Sequence, residues 1–148
     1  GTPIFGIAGA LAAFKEPKAF PQLKILATDE NWLLRRAAIE ALPAIGQEKS
    51  LPILLELINH EHATTRGDAA FALGKLGDPK AVPALIEALS DPESFVSTWA
   101  AWSLGEIGDP QAVPYLRKAS QTETDMQRIA NDAIQKIEIE APKPNQSF

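Results

Sequence analysis

Four prolines recur at one interval: Pro21, Pro52, Pro83 and Pro114 stand 31 residues apart. Leu23, Leu54, Leu85 and Leu116 follow each of them by two positions. Gly46, Gly77 and Gly108 keep the same step, as do the pairs Ala41-Leu42, Ala72-Leu73 and Ser103-Leu104. The strings Gly77-Asp78-Pro79-Lys80-Ala81-Val82-Pro83 and Gly108-Asp109-Pro110-Gln111-Ala112-Val113-Pro114 are nearly the same. A period of this length constrains the fold more than composition does. Each module is too short to bury its own apolar side and must stack on its neighbours.

Each module reads as a pair of helices. In the third, roughly residues 80–89 carry Val82, Leu85, Ile86 and Leu89 at helical spacing, with Pro83 in the first turn, where its missing N–H costs little. Roughly residues 93–107 carry Val96, Ala100, Leu104 and Ile107 on one side. Asp91 before Pro92 is expected to cap this second helix, and Gly108 to end it in a left-handed conformation. No segment alternates with period two, so no strand is expected. The fold class is all-α: an α-solenoid of about four helix pairs plus one leading helix.

The expected units within a repeat domain at 1–140 are 15–45, 46–76, 77–107 and 108–138. Residues 2–14 read as the second helix of a preceding unit, because Ala10, Leu11 and Phe14 precede Ala41, Leu42 and Ile45 by 31. That phase is expected of a piece of a longer solenoid, or of an unusual cap. Met126, Ala130, Ile134 and Ile137 continue the pattern with one residue deleted, beside polar Asn131, Asp132, Gln135 and Lys136 that suit a terminal helix. Residues 141–148, with Pro142 and Pro144, read as a flexible tail.

Composition narrows the function classes. Fourteen Lys+Arg against 19 Asp+Glu give a net charge of -5, which argues against nucleic acid. Residues 1–49 hold six basic and five acidic residues, residues 50–148 eight and fourteen. No apolar run is long enough to cross a membrane. With no cysteine there is neither thiolate chemistry nor a disulfide framework, which fits a cytoplasmic location. Gly74 and Gly77 form no phosphate loop, and neither histidine stands in a triad context. His60-Glu61-His62 falls in a turn, with His60 at the repeat position of Asp29 and Asp91, so a capping slot is expected there and no metal site.

The pattern Gly-Asp-Pro-x-Ala-Val-Pro-x-Leu-Ile, followed by Ala-Ala-x-x-Leu-Gly-x-Ile-Gly-Asp, resembles the HEAT repeat in its short phycobilisome-lyase-like form. The resemblance spans residues 2–139. It implies a superhelix whose second helices line the concave side and whose first helices line the convex side. The same repeat occurs in bilin lyase subunits, in a metal-dependent hydroxylase and in adaptors, so it does not assign a task. The hydroxylase carries His-Glu pairs in its second helices. Here those positions are Arg36-Ala37, Gly67-Asp68 and Thr98-Trp99, so the resemblance implies no di-iron site.

Aromatic residues concentrate on one second helix. Phe95, Trp99 and Trp102 fall at i, i+4 and i+7, and Phe71 precedes Trp102 by 31. The apolar side of that helix is already filled, so the rings are expected to face the concave groove. Asp68, Arg66, Arg36 and Glu40 are expected around them. A packing alternative puts Phe95 and Trp99 into the seam between repeats and leaves only Trp102 exposed.

Two functions follow. The first is a non-catalytic scaffold that binds another protein on the concave face, with no cofactor and no catalytic residue. The second, implied by the resemblance, is a bilin lyase subunit or bilin-binding phycobilisome-associated protein. It would hold phycocyanobilin between the rings, with arginine toward the propionates, Asp68 toward the pyrrole nitrogens, and a phycobiliprotein or second solenoid subunit as partner.

Overall fold

The computed structural model describes residues 17–122 and 124–140, and among these it contains helices and loops only. Eight α-helices follow in order: α1 (Phe20–Ala27), α2 (Trp32–Ile45), α3 (Gln47–Leu57), α4 (Ala63–Leu76), α5 (Val82–Ala88), α6 (Ser94–Ile107), α7 (Val113–Ala119) and α8 (Thr124–Glu140). Short 3-10 turns at Pro17–Ala19, Pro79–Ala81 and Pro110–Ala112 lead into α1, α5 and α7. The expected leading helix at 2–14 and tail at 141–148 lie outside the described residues.

The repeat positions become one continuous core. Leu23, Leu54, Leu85 and Leu116 are fully buried on the first helices, and Leu42, Leu73 and Leu104 on the second. Ala38, Ala69, Ala100 and Ala130 are buried beside them. Every first helix packs on the second helix of its own unit. The second helices also pack on one another in succession, α2 on α4, α4 on α6 and α6 on α8, more extensively than any two first helices do. A stack drawn together on one side bends toward that side, so α2, α4, α6 and α8 form the concave wall.

Small residues permit that approach. A Cβ on Gly74 would lie 2.3 Å from Ser103 Oγ and 2.8 Å from Ser103 Cα, and one on Gly105 would lie 2.9 Å from Ala133 Cα. Across the α4/α6 junction the Ser103 hydroxyl donates to the Ala70 carbonyl at 2.6 Å.

The helix ends follow two local rules. Gly77 and Gly108 end α4 and α6 in the left-handed region at φ 74° and 81°. Asp78 and Asp109 then accept the N–H groups of Lys80 and Gln111, each at 2.9 Å, and so start the 3-10 turns. The second unit differs. Gln47-Glu48 replaces Asp-Pro after Gly46, so α3 runs unbroken from Gln47 and carries Pro52 inside it, beyond the first turn.

The expectation that Asp91 caps α6 needs correction: Glu93 is the residue at the cap, and α6 begins at Ser94. Asp91 instead accepts the Glu93 N–H at 2.9 Å within the preceding turn. Asp29 and His60 do the same for the Asn31 and His62 N–H groups, at 2.8 and 3.0 Å. These turns are tied down by arginines one period apart. Buried Arg35 donates to the Asp29 and Glu30 carbonyls and to Thr65 Oγ1, while Arg66 donates to the His60 and Glu61 carbonyls. Arg66 also forms a two-pronged pair with Asp91, at 2.8 and 3.2 Å. Burial alone would raise the Asp91 carboxyl. The hydrogen bonds from Arg66 and the Glu93 N–H, with the guanidinium charge, outweigh it and hold the group below its ordinary value.

Two stability tests follow from these contacts. Gly74→Ala should cost a net ~1–2 kcal/mol in urea unfolding, because the overpacking outweighs the better helix propensity of alanine. Ser103→Ala should not rescue it, since the Ser103 backbone itself lies within the clash. Asp91→Asn should cost about 2 kcal/mol at neutral pH. Because the Asp91 pKa is lowered in the folded protein, this stabilisation is present above the unfolded value and lost as pH falls through the folded one. The gap between Asp91→Asn and the unaltered protein should therefore close in acid.

Candidate functional site

The 31-residue step sets equivalent residues side by side across the concave wall. One such row is Glu40 on α2, Phe71 on α4, Trp102 on α6 and, after the single deletion, Asp132 on α8. The neighbouring row is Ala37, Asp68, Trp99 and Ile129.

Three of the expected rings meet at the α4/α6 junction. Trp99 stands edge-on to Phe71 at 4.6 Å, Phe71 stacks on Trp102 at 5.1 Å, and Trp99 meets Trp102 at a right angle at 5.6 Å. Trp99 is 40% exposed, whereas Phe71 and Trp102 are half-buried. The packing alternative therefore has the exposure reversed. Phe95 stays outside this trio: its ring lies over the bare backbone of Gly67, 3.0 Å from where a Cβ would stand, and remains 43% exposed. The rings form a ridge along the concave wall, with Phe95 one turn further toward the start of α6.

The expected polar residues divide. Asp68 and Arg36 come together, with Arg36 Nε 3.4 Å from Asp68 Oδ2 and its Nη2 3.4 Å from Oδ1. Glu40 lies 3.9 Å from the same Arg36 Nε. Burial pushes the Asp68 carboxyl above its ordinary value, against the opposing charge and hydrogen bond of Arg36, and Glu40 adds to the upward shift. Arg66 is the exception and corrects the expectation. Its guanidinium turns to the loop side to hold Asp91, because position 66 repeats the loop-tying position of Arg35 rather than the groove position of Arg36.

Two hollows flank the ridge. One, of about 220 Å³, lies between α2 and α4 and is lined by Glu40, Pro43, Ala44, Asp68, Phe71 and Lys75, over Ala72. The other, of about 260 Å³, lies between α6 and α8, with Trp102 and Ile129 as walls, Gly105 and Ala133 as floor, and Asp132 and the Glu106–Lys136 ion pair at the rim. These linings occupy the same repeat positions two units apart. At the intervening junction, Trp99 takes the place of Asp68 and Ile129 in the row, and its ring stands against Phe71 and Trp102.

Sequence reasoning missed Trp32, Lys75 and Asp132 as parts of this surface. Trp32 is 48% exposed at the start of α2, with the Arg36 guanidinium 5.9 Å from its ring centre. The Lys75 ammonium lies 5.6 Å from the centre of the Phe71 ring. Asp132 was legible in principle, since counting 31 from Trp102 and allowing for the deletion lands on it. No helix among the described residues is long and apolar enough to cross a membrane.

Comparison with solved structures gives the same architecture. The complex of CpcE and CpcF of phycocyanin lyase from Nostoc sp. is similar with a TM-score of 0.77 and 25% identity, over 92% of this chain and 59% of that one. Human deoxyhypusine hydroxylase in complex with glycerol gives 0.73 and 22%, over 83% and 44%. An engineered protein gives 0.59 and 21%, over 89% and 72%. The chain thus spans less than two thirds of each of the first two. Comparison with curated protein sequences gives no significant match. The family model for HEAT repeats matches residues 6–67 and 54–138, nearly the whole chain. The chain belongs to the HEAT-repeat family.

Proposed function

We propose that the chain is a non-catalytic scaffold that holds a partner protein on its concave face. The observation that carries this reading is the ridge of Phe71, Trp99 and Trp102, with Trp99 and nearby Phe95 both left in water. Exposed aromatic area costs about 25 cal/mol per Å², and tryptophan is among the residues enriched at the positions that anchor binding. The flanking hollows are smaller than the roughly 300–1,000 Å³ that enclose small ligands, so they suit side chains of a larger partner. The mechanism is shape plus a few anchors, with no bond made or broken. The cysteine-free chain fits a reducing cytoplasm as its place of work.

A second reading, a subunit of a bilin lyase, is favoured by the likeness to the CpcE–CpcF complex over nearly the whole of this chain. In it the ridge would flank phycocyanobilin, with Arg36 toward the propionates and Asp68 toward the pyrrole nitrogens. A phycobiliprotein or a second solenoid subunit would then be the partner.

Trp99→Ala with Trp102→Ala should abolish retention of partner proteins in a pull-down while the helical circular dichroism is unchanged. Retention by the folded double variant would overturn the scaffold reading. Mixing the protein with phycocyanobilin should red-shift and sharpen the bilin absorption if the second reading holds, and an unchanged spectrum at high protein concentration would remove it.

A further inference from the structure

The row across the concave wall has a symmetry that the ridge alone does not explain. It reads Glu40, Phe71, Trp102, Asp132: acid, ring, ring, acid. Each hollow therefore has an aromatic wall on its inner side and a carboxylate on its outer side. Between α2 and α4 the wall is Phe71 and the carboxylate Glu40, and between α6 and α8 the wall is Trp102 and the carboxylate Asp132. The two roles exchange helices between the hollows, so the pair is mirrored about the ridge.

Such a hollow suits a cationic side chain. The methylene stem of lysine or arginine packs on the ring, the charge is drawn to the ring face, and the head group reaches the carboxylate. The protein already makes half of this contact with its own Lys75, whose ammonium stands over Phe71 and which, being exposed, an incoming cation would displace toward water. Both acids are exposed and available. Asp132 takes part in no ion pair among the described residues, and the Glu40 contact with Arg36 is long, at 3.9 Å. The other charged groups lining the hollows are largely satisfied, Asp68 by Arg36 and Glu106 by Lys136.

We infer that the two hollows form a paired site for one extended basic segment of a partner protein, which seats a Lys or Arg in each hollow and lies across the aromatic ridge. This rests on the scaffold reading and deepens it by stating the partner's chemistry. Spacing follows from geometry. The hollows are two helix-to-helix steps apart, about 16–20 Å at the usual 8–10 Å per step. An extended chain rises about 3.3 Å per residue, so the two basic residues stand five or six positions apart. Apolar residues between them cover Trp99 and Trp102.

The probe is a fluorescein-labelled peptide with two arginines about five residues apart and leucine between them, followed by fluorescence anisotropy. It should bind at least about tenfold more tightly than the same peptide with citrulline for arginine, or with the arginines adjacent. Glu40→Gln and Asp132→Asn, both at exposed positions, should each weaken it by about fivefold, and added salt should weaken it further. Equal affinity for the citrulline peptide, indifference to spacing, or unchanged binding by the Glu40→Gln, Asp132→Asn double variant would each overturn the inference. The two readings fail separately. Loss of pull-down partners with Trp99→Ala, Trp102→Ala, together with unchanged peptide and partner binding by the charge variants, keeps the scaffold and removes the paired cation site.

Discussion

The distance between neighbouring second helices governs this structure. At Gly74 facing Ser103, and again at Gly105 facing Ala133, one helix lies so close to the next that a single methyl group would meet the partner's backbone. Small residues at those points bring the inner helices together, while the first helices pack chiefly on their own units. At these two junctions side-chain size at one repeat position sets the approach, whereas at the α2/α4 junction the same position holds Pro43, inside α2. Two of the small residues, Gly105 and Ala133, also line the hollow at the third junction, and small Ala72 lines the one at the first, so small side chains make room on the inner wall as well.

Conserving the stack leaves specific positions free to vary from unit to unit. The first-helix leucines and the second-helix alanines facing the core are the same in each module, and the second-helix leucine changes only to Ile134 in the last, because every junction must close in the same way. The loop arginines show an intermediate case. Arg35 and Arg66 both grip the carbonyls of the turn before their helix, yet one reaches Thr65 and the other Asp91. The concave rows vary most: Ala37, Asp68 and Trp99 occupy one position, and Glu40, Phe71 and Trp102 the next. Repeat identity builds the rod, and departures from it build the surface.

This division explains what could be read from the sequence. Helix pairing, the buried leucines and the adjacency of Phe71 to Trp102 all follow from counting by 31, because a solenoid turns sequence period into neighbourhood. Arg66 was misjudged because side-chain direction at the start of a helix depends on turn geometry that the period does not encode. The capping role expected of Asp91 failed for a related reason: Pro92 lies in the turn, and the helix begins two residues later. Phe95 is a third instance. Its separation from the other rings comes from Gly67 on the facing helix, which leaves bare backbone for the ring to cover.

The inner wall also balances charge in a way that bears on what it can hold. Its cations are engaged, Arg36 by Asp68, Lys136 by Glu106 and Lys75 over Phe71, whereas Glu40 and Asp132 at the two outer edges are exposed and weakly paired or free of ion pairs among the described residues. A neutral aromatic ridge bordered by two such carboxylates attracts a partner that is apolar in the middle and positive on either side. An acidic partner would meet like charge at both edges, and one without charge would leave two carboxylates losing water for no return. The net charge of -5 extends the same preference beyond the groove, where it favours the approach of a basic segment before any contact forms.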